Sequence, residues 1–437
     1  MRIRKPFWRR WGLWVAAWLV LASLGTLVHW LTWIAPRQGV RYQTPASQTA
    51  VRVASAAFTM PSLPGWAAVY VTFGRNVSGR MELAFAANGA AWAGWLWGLW
   101  VLLRLRRRML RDERAERQAH GHPVTDSGGA TFSPGRRRLL VDAPLGIATA
   151  ATSGLYVRAA GVEPWSLRIA RYTVPIADLP PELDGYLIAH LTDTHYGPRV
   201  PPEFIDLAVS TAIDLKPDAF ALTGDYIHRA ISEIQPAVDR FKPLCATGLP
   251  VLGVLGNHDW YADGQRMHDA LTAIGVTMLD NRRVYLSART RRLSDQPHTL
   301  VPGEALCFAG LGDLEQATVN VASALGGLPA GLPRVVLAHQ PDTAEHSDLL
   351  AGDGGRDGPV RVDLMLCGHT HGGQVALPLA GPLIVPSRFG DKYARGLIRG
   401  PVCPVVVSAG IGLSLVPVRF GVPPEVVLVR LERGSPA

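Results

Sequence analysis

Five short polar clusters carry the residue types that metal chemistry needs: Asp193-Thr194-His195, Gly224-Asp225, Gly256-Asn257-His258-Asp259, Ala338-His339 and Gly368-His369-Thr370-His371. Together they offer enough carboxylate, imidazole and amide donors to hold two adjacent cations. A mixed Asp/His/Asn set suits divalent Mn, Fe, Zn or Mg better than a thiolate set would. The four cysteines are scattered and form no C-x-x-C pair, so they read as buried free thiols rather than a zinc site. Any one of these histidines alone would be read as a hydrogen-bonded structural residue. Five clusters in this order make ligation the stronger reading.

The clusters need elements to bring them together. Apolar runs at 186–191, 219–223, 251–255, 335–337 and 364–367 precede them and read as short buried strands. Each cluster then sits at a strand end, where open α/β sheets gather their ligands in one crevice. Residues 201–215 and 264–274 read as helices set off by Pro or Gly turns. Later runs at 381–386, 402–407 and 426–431 are β-rich and are expected to complete a second sheet.

In order and spacing the clusters resemble the calcineurin-like metallophosphoesterase superfamily, whose pattern runs D-x-H, G-D, G-N-H-D/E, H and G-H-x-H. The resemblance covers roughly residues 161–431. The HTHGGQ stretch at 369–374, residues 386–396 and the tail at 410–425 look like the bacterial membrane-tethered branch. It implies two facing mixed β-sheets flanked by helices. It also implies Asp193, His195 and His371 on a first metal and Asn257, His339 and His369 on a second, with Asp225 bridging both. Two cations about 3.5 to 4 Å apart can share a hydroxide and clamp the attacking and leaving oxygens of a phosphoryl displacement. A bridging carboxylate suits that arrangement, because one negative group then faces two cations. In the family the histidine at position 258 is no ligand but the acid that protonates the leaving oxygen, a role suited to an imidazole near neutral pH.

One position departs from the family. Related protein phosphatases continue the second cluster with an Asp that orients the catalytic histidine and an Arg that contacts phosphate; here the chain reads Asp225-Tyr226-Ile227-His228-Arg229. Arg229 fits the phosphate role. His228 cannot supply a fixed negative charge, which leaves Asp259 or the substrate phosphate to favour protonated His258, or His228 simply facing solvent. The expected activity is hydrolysis of a phosphoester or diphosphate bond. The expected substrate is a lipid-linked or cell-envelope molecule, with UDP-diacylglucosamine the specific candidate. A non-catalytic metal-binding scaffold is the alternative, against which the intact ligand set and His258 both speak.

The first third of the chain is different material. Residues 11–35 contain no charged residue apart from His29, which is charged only if protonated, and 83–103 contain none at all. Both exceed the roughly 20 apolar residues that span a bilayer as a helix. Trp8, Trp11, Trp14, Trp30 and Trp33 gather toward the ends of the first, as interfacial aromatics do. Basic residues before the first stretch (Arg2, Arg4, Lys5, Arg9, Arg10) and after the second (Arg104, Arg106, Arg107, Arg108, Arg111) predict a hairpin, 1–103, with both ends cytoplasmic. Residues 53–74, broken by Pro61, Pro64 and Gly65, read as a loop on the far side. Residues 104–138 read as a basic cytoplasmic linker. The arginine run 136–138 before the mildly apolar 139–157 predicts a third crossing of twin-arginine type, which would put a catalytic domain at 161–433 outside the cytoplasm. As a mere connector, 139–157 would leave that domain at the cytoplasmic face of the inner membrane. The +9 formal charge lies largely in these flanks, and no basic patch interleaved with aromatics points to nucleic acid.

Overall fold

The computed structural model describes residues 158–296, 303–352, 359–378, 381–414 and 417–434. The expected spans at 11–35 and 83–103, the linker and the 139–157 stretch lie outside them. Among the described residues no helix is long and apolar enough to cross a membrane.

The first sheet opens with β1 (Arg168–Ile176) and continues with β2 (Leu187–Leu191), β3 (Ala219–Leu222), β4 (Val251–Gly253) and β5 (Thr277–Met278). A second sheet takes β6 (Arg283–Ser287), β7 (Leu293–Ser294), β8 (Ala305–Gly310), β9 (Arg334–Leu337) and β10 (Leu364–Cys367). After a two-stranded hairpin of β11 (Ala376–Leu377) and β12 (Gly381–Pro382), it adds β13 (Gly396–Arg399) and β14 (Pro404–Val407). The last strand, β15 (Glu425–Arg433), returns to the first sheet, whose order is β1-β15-β2-β3-β4-β5; the second runs β13-β14-β10-β9-β8-β6-β7. Strands β2 to β5 are parallel, and so are β8, β9, β10 and β14. Antiparallel neighbours at β15–β2, β6–β8 and β13–β14 make both sheets mixed.

Alternation along each strand builds the layers. Val427, Val429 and Leu431 of β15 and Ile188 of β2 meet Leu306, Phe308, Leu337, Leu364 and Leu366 of the second sheet, so one core lies between the sheets. The opposite face of the first sheet packs on helices α1 (Pro202–Asp214), α2 (Ile234–Ala246) and α3 (Asn257–Ala273) through Ile205, Val209, Val238, Phe241 and Met267. The outer face of the second is covered by α4 (Val321–Leu325) and α5 (Ser347–Ala351), with Cys307, Met365 and Cys367 in that layer. Two mixed sheets facing each other with helices outside is the expected architecture.

Three expectations need correction. The run at 426–431 joins the first sheet rather than the second: its nine-residue strand pairs with β1 on one side and β2 on the other, and its alternate valines feed two different cores. The run at 381–386 contributes only the two residues of β12 to a separate hairpin, because Pro382 and Pro386 lack the N–H groups that a longer ladder requires. The helix expected at 264–274 also begins earlier, at Asn257, with a break at Asp263.

Candidate metal centre

All five clusters fall immediately beyond the C-terminal ends of β2, β3, β4, β9 and β10. Backbone hydrogen bonds lace these ends together: Asp193 N donates to Gly224 O and His195 N to Asp225 O, each 3.0 Å, and Gly368 N donates to His339 O at 3.0 Å. The turns that carry these side chains are tight. Asp193, His195, Asp225, His369 and His371 all have φ between 44° and 69°, a left-handed conformation uncommon outside glycine and concentrated at functional sites. Two glycines permit the crowding: a Cβ on Gly256 would lie 2.3 Å from Asp225 Oδ1, and one on Gly368 would lie 2.1 Å from Asp193 Oδ2.

The side chains converge as two sets. In the first, His371 Nε2 lies 2.9 Å from His195 Nε2 and 3.3 Å from Asp193 Oδ1. In the second, His339 Nε2 lies 3.1 Å from Asn257 Oδ1 and 3.2 Å from His369 Nδ1. Asp225 stands between them. Its Oδ2 is 3.5 Å from His195 Nε2 and 3.3 Å from His339 Nε2, while its Oδ1 accepts the His258 amide at 2.8 Å. One oxygen is therefore spent on the backbone and the other faces both sets.

These donors fit divalent cations. Bonds of about 2.1 Å put neighbouring ligand atoms about 3.0 to 3.4 Å apart in octahedral or tetrahedral geometry, the spacing seen here. Three of the four imidazoles are also held in the neutral form that a metal takes, whereas His339, though burial opposes it, is raised well above its ordinary pKa by the facing Asp225, so a cation bound there would take the place of its proton. Burial, reinforced by His258, keeps His195 well below its ordinary pKa; burial and the Arg419 cation do the same for His371; burial and His339 bring His369 down to about 3. Asp225 is pushed up by burial, yet His339, His258 and His195 outweigh that and hold it well below the carboxylate range. Outer contacts orient the rings. His339 Nδ1 donates to the Thr223 carbonyl at 2.7 Å, and the second ring nitrogen of His369 donates to the Pro386 carbonyl, leaving His339 Nε2 and His369 Nδ1 to face inward.

His258 belongs to neither set but borders the first. Its ring centroid is 4.6 Å from that of His195, and its Nδ1 donates to the backbone carbonyl of His228 at 2.5 Å. The group that orients His258 is thus a peptide carbonyl and not an acidic side chain. Burial and nearby Arg199 lower the His228 imidazole to about 3, so it carries no charge at neutral pH. His228 does not point freely to solvent either, being half-buried. Asp259 does not serve His258: its oxygens accept the amides of Asp225, Tyr226 and Gly256 at 2.9, 3.0 and 2.9 Å, clamping the second cluster to the start of α3. Arg229 is exposed and stacks 5.5 Å from the centre of the Tyr261 ring, whose hydroxyl accepts from Asn257 Nδ2 at 3.1 Å.

Arg419 was not legible as part of the site. It is fully buried, and its guanidinium donates to the carbonyls of Ala409 at 2.9 Å, Gly412 at 2.6 Å and Val422 at 3.1 Å, with Nη2 3.3 Å from His371 Nδ1. Burial lowers its pKa to about 10, so it remains a cation behind the first set. A lone arginine 48 residues from His371 carries no local signal for this.

Residues 186–373 match the family model for calcineurin-like phosphoesterases. Phosphodiesterase YaeI of Escherichia coli strain K12 is 32% identical over 250 residues, covering 56% of this chain and 82% of the relative. A transmembrane protein with metallophosphoesterase domain from Danio rerio is 27% identical over 61% of this chain and 57% of its own length. UDP-2,3-diacylglucosamine pyrophosphatase LpxG of Chlamydia trachomatis serovar D is 25% identical over 63% and 92%. With these likenesses beside two converging ligand sets, the chain belongs to the calcineurin-like phosphoesterases, hydrolases built on two divalent metal ions.

Proposed function

We propose that this protein is a membrane-anchored phosphohydrolase acting on a lipid-linked or cell-envelope phosphoester or diphosphate, with UDP-diacylglucosamine the first candidate. In this reading Asp193, His195 and His371 hold one ion, Asn257, His339 and His369 the other, and Asp225 joins them. The observation that carries it is the position of Asp225 Oδ2, 3.5 Å from His195 Nε2 and 3.3 Å from His339 Nε2 with its other oxygen already engaged. Bound there, two divalent ions supply Lewis acidity toward a phosphoryl group and a water made acidic enough to attack phosphorus.

The chain's own residues do the rest. The His228 carbonyl fixes the His258 tautomer, with the proton on Nδ1, so that Nε2 is the atom that delivers a proton to the leaving oxygen. Arg229, poised on Tyr261, reaches for the non-bridging oxygens of the substrate. Burial, with Arg419 behind it, keeps the His371 ring neutral and therefore able to ligate. The intact set speaks against a non-catalytic scaffold.

Support for the substrate class comes from the relative named for UDP-2,3-diacylglucosamine, and for the bilayer from the relative named as a transmembrane protein. The apolar stretches at 11–35 and 83–103, each flanked by arginines, anchor the chain, and 139–157 carries the catalytic domain across the inner membrane. If 139–157 is only a connector, the domain faces the cytoplasm, where nucleotide-linked lipid precursors are made, and that topology favours UDP-diacylglucosamine over other lipid-linked or envelope phosphoesters. The test is a screen of the purified full chain, reloaded with Mn, Fe, Zn or Mg, against phosphomonoesters, phosphodiesters and lipid-linked diphosphates. Turnover confined to soluble monoesters would refute the lipid reading.

A further inference from the structure

The chain leaves the second ligand set through an exposed apolar stretch. Leu383, Ile384 and Phe389 are 58%, 41% and 43% exposed, within seven residues of one another. Scattered surface leucines need no explanation, but large apolar side chains gathered beside a reaction centre do. The stretch is tied to that centre. The Pro386 carbonyl accepts from the His369 ring, and a Cβ on Gly373 would lie 2.6 Å from the Ile384 carbonyl oxygen. Asp342 pins its far end, accepting from Ser387 Oγ at 2.5 Å and from the Arg388 amide at 2.8 Å. The apolar side chains are thus presented outward by a backbone held fast from within.

The surrounding charge selects a partner. Between 381 and 399 the chain carries Arg388, Lys392, Arg395 and Arg399 against the single acid Asp391. All four basic residues are exposed; Lys392 is paired with Glu345, and its Nζ lies 5.8 Å from the centre of the Phe389 ring. Apolar side chains on a segment that also carries exposed basic residues, Arg388 next to Phe389 among them, suit an interface where acyl chains begin below anionic headgroups. A protein partner would be met equally well by the apolar residues, but not by an excess of positive charge beside a centre that hydrolyses phosphate.

We infer that Leu383, Ile384 and Phe389, with Arg388 beside them, dock the catalytic domain onto the surface of an anionic phospholipid bilayer and set the second ligand set at headgroup depth. A lipid-linked substrate then brings its phosphoryl group to Asn257, His339 and His369 while its acyl chains stay in the membrane. This rests on the bilayer-anchored reading above and adds to it which face of the domain meets the lipid.

The test uses the full chain in lipid nanodiscs, with Leu383→Cys in a Cys245→Ser background carrying an environment-sensitive thiol dye. Leu207→Cys, on α1 and 49% exposed in the native residue, serves as control. In discs of mixed phosphatidylglycerol and phosphatidylcholine, doxyl-labelled lipid is expected to quench the dye at 383 severalfold more than the dye at 207. Aqueous iodide is expected to do the reverse. Pure phosphatidylcholine or Arg388→Glu should weaken the lipid quenching. Equal iodide access at the two positions in a disc-embedded chain overturns the inference and leaves the anchoring reading intact. Shielding that appears only at high protein concentration assigns the face to a second copy, and shielding without lipid quenching assigns it to the chain's own remaining segments; either overturns it. A chain that enters no disc and binds no vesicle removes both readings together.

Discussion

Replacing His258 with Ala separates chemistry from metal binding, and the structure says why the separation should be clean. The contact that His258 makes with Asp225 comes from its backbone amide, 2.8 Å from Oδ1, and an alanine at the start of α3 retains it. What is lost is the ring whose Nδ1 is pinned to the His228 carbonyl and whose Nε2 is the proposed proton donor. General acids are worth about 10² to 10⁴ in rate, or about 2.7 to 5.5 kcal/mol at 1.36 kcal/mol per tenfold. That full loss is expected for alkyl leaving groups, which need a proton to depart. For nitrophenyl esters the loss should shrink to about tenfold or less, because the departing phenolate needs none. The assay is a series of phosphodiesters of graded leaving-group pKa, run with wild type and variant, with elemental analysis of the same preparations. A steeper dependence on leaving group with two ions retained is the expected result. An equal loss across the series would refute the acid role, and loss of metal would show that the ring is structural.

Gly368→Ala forces a methyl group toward Asp193 Oδ2 and Thr192 Oγ1, 2.1 and 2.2 Å from its ideal position, so it should weaken retention of the first ion, read as metal per chain after dialysis. His190 is fully buried, its Nε2 is 2.7 Å from Thr223 Oγ1, and burial lowers it to about 3. Its folded pKa lies below the ordinary 6.5, so its stabilisation is complete above pH 6.5 and is lost as pH falls toward 3, up to about 5 kcal/mol. A thermal-midpoint series against pH should show a shallower acid decline for His190→Gln than for wild type. For topology, a reporter active only outside the cytoplasm should work when fused after Ala437 and stay silent near Gly121, and neutralising Arg136, Arg137 and Arg138 should reduce export. Silence at Ala437 in a well-expressed chain places the domain in the cytoplasm.

The strand-end clusters were legible because each is a local event: an apolar run, a small residue (Thr192, Gly224, Gly256, Ala338 or Gly368), then a metal-binding residue type. The same local logic located β2, β3, β4, β9 and β10. It failed where identity depends on distant partners. β15 reads like any valine-rich strand, and its choice of sheet is made by pairing with β1 and β2, more than two hundred residues earlier. Asp259 looked like a partner for His258 because the two are adjacent in sequence, yet at a helix start neighbouring side chains diverge and its oxygens turn to backbone amides. The true partner of His258, a carbonyl at position 228, has no side-chain signature. Arg419 was hidden for the same reason, since its partners are mostly carbonyls.

The central claim, that one carboxylate joins two metal ions, is tested most directly by reloading wild type and Asp225→Asn with manganese and measuring bound metal together with the electron paramagnetic resonance spectrum. Wild type should hold two ions per chain and give the multiline signal of an exchange-coupled pair. Asp225→Asn should lose the coupling, most of both ions and all hydrolysis, because the oxygen 3.5 Å from His195 Nε2 and 3.3 Å from His339 Nε2 no longer carries charge. Two tightly held, still coupled ions and near-normal turnover in Asp225→Asn would contradict the account.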